Sequence, residues 1–239
     1  MKKSAQVFAF LALSFALGCD SMPGRPQEAD RPIRPKNVKS FDVLWSINCA
    51  GCHGADGTMG AARPLNDPMY LAFASDSNMR LVIQQGVPRT LMPAFADGHG
   101  GALTDAQIDI VVDEMRHRWS KADKVRDVTF PPYAAQLGNA GRGAQVYQEF
   151  CSSCHGTDGT GGTAHGSIVD PAYLALVSNQ ALRSTVVAGR SDLGMPGFTT
   201  VAPGKTMSEQ QIADVLAWLA GHRVEFPGQP YTDKEKKNG

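Results

Sequence analysis

The sequence predicts a mainly α-helical protein made of two tandem copies of one small domain. Three observations carry that expectation. An offset of 102 to 104 residues maps the first half of the 239-residue chain onto the second, which is the mark of an internal duplication. Helix-starting and helix-stopping residues recur at matching places in both halves. No run alternates apolar and polar residues with the period of two that a half-buried strand needs.

The repeat can be followed residue by residue. Asp67-Pro68-Met69-Tyr70-Leu71-Ala72 matches Asp170-Pro171-Ala172-Tyr173-Leu174-Ala175. Arg80 matches Arg183, Gly86 matches Gly189, and Met92-Pro93-Ala94-Phe95 matches Met195-Pro196-Gly197-Phe198. The first helix of each copy is expected over residues 41–49 and 143–151. Asp67 and Asp170 are good N-caps with proline at the first helical position, while Gly86 and Gly189 sit where a left-handed stop is wanted. The last helix of each copy opens with a capping box, Thr104 with Gln107 and Ser208 with Gln211. Behind the boxes, Ile108, Val111, Val112, Met115 and Trp119 recur at helical spacing, as do Ile212, Val215, Leu216 and Leu219. Both stripes read as core. The glycine- and threonine-rich stretches 54–62 and 156–167 read as loops.

Each copy carries Cys-x-x-Cys-His: Cys49, Cys52 and His53 in the first, Cys151, Cys154 and His155 in the second. Cysteines three apart on one turn can add their thiols to the two vinyl groups of a haem, and the next residue then offers its imidazole to the iron. The expected cofactors are therefore two covalently bound haem c groups. Two other readings compete. A structural zinc site would use both thiol pairs together, yet each pair lies in a segment that looks complete and has its own histidine. A redox dithiol would want a strand leading into the motif, whereas both motifs close helix-like stretches. Each copy is only about 85 to 90 residues, small for a self-sufficient core, so the haem is expected to complete the interior.

The fifth cysteine belongs to the N-terminus. Lys2 and Lys3 precede an apolar run too short to span a bilayer comfortably, and Ala16-Leu17-Gly18-Cys19 resembles a bacterial lipobox with Ala16 in place of the usual leucine. Cys19 is then the expected lipidation site after removal of a signal peptide over 1–18, with ordinary cleavage or an uncleaved short anchor as the alternatives. Residues 19–37 contain Pro23, Pro26, Pro32 and Pro35, a composition that favours a semi-rigid tether reaching up to roughly 50 Å. Lysine plus arginine number 23 and aspartate plus glutamate 23. That balance lacks the basic face that nucleic-acid binding needs.

With these motifs in place, each half resembles a class I cytochrome c, and the chain resembles a two-domain dihaem cytochrome c of the membrane-anchored bacterial lipoprotein type. The resemblance covers about 38–120 and 138–226. It implies two tandem class I cytochrome c domains, each wrapped around one covalent haem, in which an N-terminal helix ending at the haem motif crosses a C-terminal helix through aromatic contacts. Trp45, Tyr147 and Trp218 are placed for that. The family supplies a backbone carbonyl to the haem-binding histidine from a Pro-Leu stretch, which Arg63-Pro64-Leu65 fits; the second copy has Ser167-Ile168 there and departs. The family also places a thioether iron ligand about 40 residues after the histidine, which falls on Met92 and Met195. Met59, Met69, Met79 and Met207 lack matching copies and read as core or surface. His99, His117, His165 and His222 read as turn, loop or helix-end residues. Arg80 and Arg183 suit haem propionates or a solvated helix face equally.

The resulting expectation is a signal peptide (1–18), a lipidated Pro-rich tether (19–37), a first cytochrome c domain (38–123), a linker (124–137), a second domain (138–227) and a polar tail (228–239). Iron closed by His53 with Met92, and by His155 with Met195, suits electron transfer rather than catalysis, with comparatively high potentials. The implied function is single-electron carriage between respiratory or photosynthetic partners: a quinol-oxidising complex, an oxidase or a small soluble electron carrier. The alternatives are a fixed haem subunit of a quinol-oxidising or terminal-oxidase complex, or a dihaem peroxidase-type enzyme. Export for haem attachment and the lipid anchor both imply the periplasmic side of a bacterial membrane, the inner one on the strength of Asp20. The linker's Phe130-Pro131-Pro132-Tyr133 suits docking along a surface, against the alternative of two independent beads.

Overall fold

The structure, a computed structural model, describes residues 24, 31–88, 90–162 and 165–224. The expected signal peptide, Cys19, most of the expected tether and the expected polar tail lie outside the described residues. From Val38 onward the described chain forms one compact unit. Its ten α-helices, counted among the described residues, fall into two sets of five. The first set is α1 (Phe41–Asn48), α2 (Ala50–His53), α3 (Pro68–Phe73), α4 (Asp76–Gln85) and α5 (Asp105–Trp119). The second is α6 (Ala140–Phe150), α7 (Ser152–His155), α8 (Pro171–Leu176), α9 (Asn179–Ala188) and α10 (Glu209–Ala220). Strand structure among the described residues is limited to isolated bridges. The mainly α expectation holds.

The sequence signals act where they stand. The carboxylates of Asp67 and Asp170 accept from the backbone N–H of Tyr70 and Tyr173, at 2.8 and 2.9 Å. Both capping boxes form. The stretch between each Asp cap and its glycine stop is broken, however, into two helices. Ser75 and Ser178 start the second of each pair, their hydroxyls accepting from Asn78 and Ala181, because an N-cap hydroxyl offers the backbone an alternative to continuing the preceding helix.

The N-terminal helix of each half crosses the C-terminal one, and the two crossings are built differently. In the first, Trp45 meets Trp119 edge-on at 4.9 Å between ring centroids, and Phe41 meets Trp119 at 5.8 Å. In the second, Tyr147 stacks on Trp218 at 4.1 Å. Gly143 lets α6 approach α10 so closely that a Cβ there would stand 2.0 Å from the Asp214 carbonyl oxygen. The first half has Phe41 at the matching place and is held apart by its ring. Each crossing also reaches the haem motif. The Trp45 indole N–H donates to the Gly54 carbonyl at 3.0 Å, and the Tyr147 hydroxyl donates to the Gly156 carbonyl.

The halves are docked on each other through the linker. Phe73 of α3 contacts Phe130 and Tyr133 at 6.3 and 5.2 Å, and Phe130 contacts Phe198 of the second half at 6.1 Å. Met69 packs against the cores of both halves. Arg183, only 1% exposed, fastens the linker from the other side. Its guanidinium donates to the Pro132 carbonyl at 2.7 Å, to that of Tyr133 at 3.1 Å and to the Glu209 carboxylate at 2.7 Å. Gln180 adds a bond to the Tyr133 carbonyl at 2.8 Å. The bead alternative does not describe this arrangement.

Asp214 ties the start of α6 to α10. Its carboxylate accepts from Asn139 N–H at 2.6 Å, from both ends of the Arg142 fork at 2.7 and 2.9 Å, and from Gln210. The Arg142 bonds, more than the other donors, hold its pKa below the ordinary carboxylate value. A depressed pKa contributes stability that is present above the unfolded-state value near ~3.9 and lost as pH falls through the lower folded value. Asp214→Asn should therefore be less stable than the parent at pH 7 and should flatten the acid limb of stability. Urea midpoints compared at neutral and strongly acid pH check it; parallel acid limbs in both proteins would refute it.

Candidate functional site

Each haem motif sits at a tight turn between a long helix and a four-residue one. Cys49 ends α1 and starts α2, and its carbonyl accepts from Cys52 N–H at 3.1 Å and His53 N–H at 3.0 Å. Cys151 does the same for Cys154 and His155, at 3.1 and 3.0 Å. This winding puts two thiols and an imidazole on one turn. Cys52 and Cys154 are exposed, while Cys49 and Cys151 are half-buried. Burial, then the neighbouring thiol, pushes the pKa of Cys49 and of Cys151 up to about 12. Such thiols lack the low pKa that thiol–disulfide exchange exploits. One exposed and one half-buried thiol on a single turn fit a group attached along its edge.

The histidines differ in what stands behind them. His53 Nδ1 lies 2.9 Å from the Arg63 carbonyl oxygen, so the Pro-Leu segment supplies its acceptor from the residue before the proline. His155 Nδ1 is buried without a hydrogen-bond partner among the described residues. The Gly166 carbonyl pulls its basicity up but does not reach hydrogen-bond geometry. The departure at Ser167-Ile168 thus has the consequence expected of it. Burial keeps both imidazoles below the ordinary histidine pKa, with His165 adding to the effect at His155. A neutral ring is the form that binds a metal.

The two Met-Pro loops are held by one backbone scheme used twice. Gly86 and Gly189 end α4 and α9 with φ of +68° and +78°, and a Cβ on either would stand 2.6 Å or little more from the backbone of the Met-Pro segment. Val87 N–H donates to the Met92 carbonyl at 3.0 Å, and Arg190 N–H donates to that of Met195 at 2.9 Å. Downstream, Phe95 and Phe198 N–H return to the carbonyls of Ile83 and Val187, and Leu103 and Met207 N–H donate to those of Phe95 and Phe198. Met92 and Met195 are both half-buried.

The remaining candidates fall elsewhere. Met79 and Met207 are core residues and Met59 is exposed. His99 lies exposed in the short turn Asp97–His99, His117 is exposed on α5, and His222 faces Trp218. His165 approaches His155 at 5.8 Å between ring centroids. The paired arginines do not share a role. Arg80 is partly exposed and bridges to Asp109 and Asp113 at 2.6 and 2.8 Å, whereas Arg183 is the buried linker anchor. The signal for that split was present: the places matching Asp109 and Asp113 are Ala213 and Ala217. The side chains of Arg63 and Tyr70 at the junction carried no comparable signal, whereas Tyr133 lies in the stretch expected to dock.

Residues 140–223 match the family model for cytochrome c. Residues 36–113 match the model for the cbb3-type cytochrome c oxidase subunit III. The chain carries two cytochrome c domains. Such domains bind haem covalently, so the protein takes two haem c groups. The chain is similar to the cbb3-type cytochrome c oxidase subunit CcoP of Azospirillum sp. (strain B510), 34% identical over 133 residues, covering 51% of this chain and 40% of that one. It is 30% identical over 187 residues to subunit CcoP of Rhodobacter capsulatus, covering 72% and 57% respectively. To subunit FixP of Rhizobium etli it is 25% identical over 196 residues, covering 77% and 62%. The chain thus spans about half the length of the curated relatives it matches. No helix among the described residues is long and apolar enough to cross a membrane.

The unequal support of the histidines makes a prediction. An imidazole whose Nδ1–H is accepted by a carbonyl is the more basic ligand, and a more basic ligand favours Fe(III). With His53 and His155 as the expected ligands, and with the nearby Arg63 charge removed in Arg63→Gln, the haem of the second cytochrome c domain should titrate at the higher potential. A spectroelectrochemical titration, with haems assigned in variants lacking one cysteine pair, checks the order. The reverse order would show that another contact outweighs the missing bond.

Proposed function

We propose that the protein is a dihaem electron-transfer subunit working with a terminal oxidase of the cbb3 type. The observation that carries this reading is the kinship to subunit CcoP, whose 187-residue alignment with the Rhodobacter capsulatus protein is longer than either half of this chain. The match of residues 36–113 to a subunit III model supports it. The tethered shuttle that the sequence alone put first becomes the second reading, favoured by the proline-rich stretch before Val38. Mild detergent extraction followed by affinity capture of the full chain separates the two. Co-purification of a terminal oxidase supports the fixed subunit; recovery of the protein by itself with active oxidase left behind supports the shuttle.

In this reading Cys49 and Cys52, and Cys151 and Cys154, hold the two haems by thioether bonds. His53 and His155, together with Met92 and Met195, would ligate the irons. The haems, when bound, supply one-electron exchange between Fe(III) and Fe(II). The chain's part is to hold two neutral imidazoles and two thioethers in fixed places in both oxidation states, which keeps geometric rearrangement small. The backbone bonds that pin both Met-Pro loops beneath Gly86 and Gly189 serve that purpose. Docking through Phe73, Phe130, Tyr133 and Phe198 supports a relay between haems within one chain. Met92→Ala and Met195→Ala should each remove about half of the thioether-to-iron absorption band of the oxidised protein. High-spin iron in the unsubstituted protein would overturn the closed-site assignment.

We place the mature protein on the periplasmic side of a bacterial membrane, held by lipid on Cys19. The short apolar leader and the one cysteine outside the two haem motifs support this. The intact mass of the mature chain should include two haems and a diacylglycerol, with the lipid lost in Cys19→Ser. A mature chain that begins elsewhere and keeps a free Cys19 thiol refutes the anchor.

A further inference from the structure

A guanidinium stands where the two haem-binding halves meet. The Arg63 guanidinium lies 4.3 Å over the Tyr70 ring and donates, at 3.4 Å, to the carbonyl of Gly189 in the second half. Its Nε and Nη1 are buried without hydrogen-bond partners among the described residues. Of the two carboxylates nearby, one is held by neutral donors and keeps its charge, and the other is paired with an arginine. Asp67 accepts from Tyr70 N–H and from the Ser191 hydroxyl, at 2.8 and 2.9 Å. Asp192 is gripped by Arg190 at 2.7 and 2.9 Å.

Arg63 is also the residue whose carbonyl accepts from His53 Nδ1. Its backbone thus stands behind the first haem's histidine, and its guanidinium, one side chain away, touches the residue on which the Met195 loop rests. The second copy has Gly166 at the matching place and no such cation. A buried charge acts over several ångströms with little solvent screening. It opposes the extra positive charge of Fe(III).

We propose that Arg63 raises the potential of the first haem, its positive charge favouring Fe(II) there, and that its bond to Gly189 makes this effect depend on docking of the second half. The proposal rests on a haem at His53 and is independent of the oxidase reading, which capture from membranes tests separately. The experiment is a redox titration of the full-length holoprotein in Arg63→Gln and Arg63→Lys, with two haems per chain confirmed by mass.

Arg63→Gln should shift the first haem's reduction equilibrium at least tenfold toward Fe(III), about 59 mV for one electron, with a smaller shift at the second haem. Arg63→Lys keeps the charge and should stay within about threefold of the parent. Unchanged midpoints in Arg63→Gln overturn the proposal. So does an equal fall in both variants, which would mean that shape at the junction matters and charge does not. If Arg63→Gln does not mature, Arg63→Lys still decides, since a tenfold fall there is incompatible with a charge effect.

Discussion

The crossing of the first helix of each half over the last fixes where everything else can stand. The haem-binding turn is the end of that first helix, so the direction in which the thiols and the imidazole leave the chain follows from how the helix is seated. Aromatic contact seats it: Trp45 on Trp119 in one half, Tyr147 on Trp218 in the other. The same two side chains, Trp45 and Tyr147, then bond to the carbonyl of the glycine that follows each histidine. One residue thus connects the crossing to the site. Rings offset or edge-on contribute beyond their area, and the buried polar end of each ring needs an acceptor. The glycine carbonyl supplies one only if the turn is in its proper place.

Duplication has kept that logic while changing the parts. The ring against Gly57 comes from Trp119, but the ring against Gly159 comes from Trp218 and not from Arg223, which occupies the matching position. Close helix approach is achieved with Gly143 in the second half, and Asp214 locks it with a fork of bonds to Arg142. The first half uses Phe41 as a wedge and secures the chain before it with a bond from Gln107 to the Val38 carbonyl. Two solutions to one crossing leave two haem environments that cannot be identical. The loops after the two motifs add a second difference, the unequal bonding of His53 and His155.

Much of this was legible from local chemistry. Caps, capping boxes and glycine stops work within a few residues, so Asp67, Thr104, Ser208 and Gly189 could be read where they stand. The haem motif is equally local, a single turn whose spacing carries its meaning, and so is the departure at Ser167-Ile168. What escaped is what depends on distant partners. Ser75 and Ser178 interrupt stretches whose composition would continue as helix. Arg80 and Arg183 look equivalent until the acids opposite one of them are compared with the alanines opposite the other. Arg63 was visible only as the residue before a proline; its charge acquires significance when Gly189, 126 positions away in sequence, comes to meet it.

Arg183 shows what the junction between the halves demands. A buried guanidinium is costly unless its donors are met, and here Nη1 has no partner while Nε and Nη2 are shared among two linker carbonyls and Glu209. An apolar side chain of similar volume would fill the space at lower cost in desolvation. What it could not do is hold particular carbonyls, and those carbonyls belong to Pro132 and Tyr133, close in sequence to Phe130, which together with Tyr133 carries the aromatic contacts from Phe73 toward the second core. Directional bonds fix register, whereas apolar contact alone tolerates sliding. Two haems that exchange electrons within one chain need a fixed separation, because tunnelling falls steeply with distance. The buried arginine therefore fits a junction built for constancy of geometry, and the stability it forgoes is supplied by the two cores on either side.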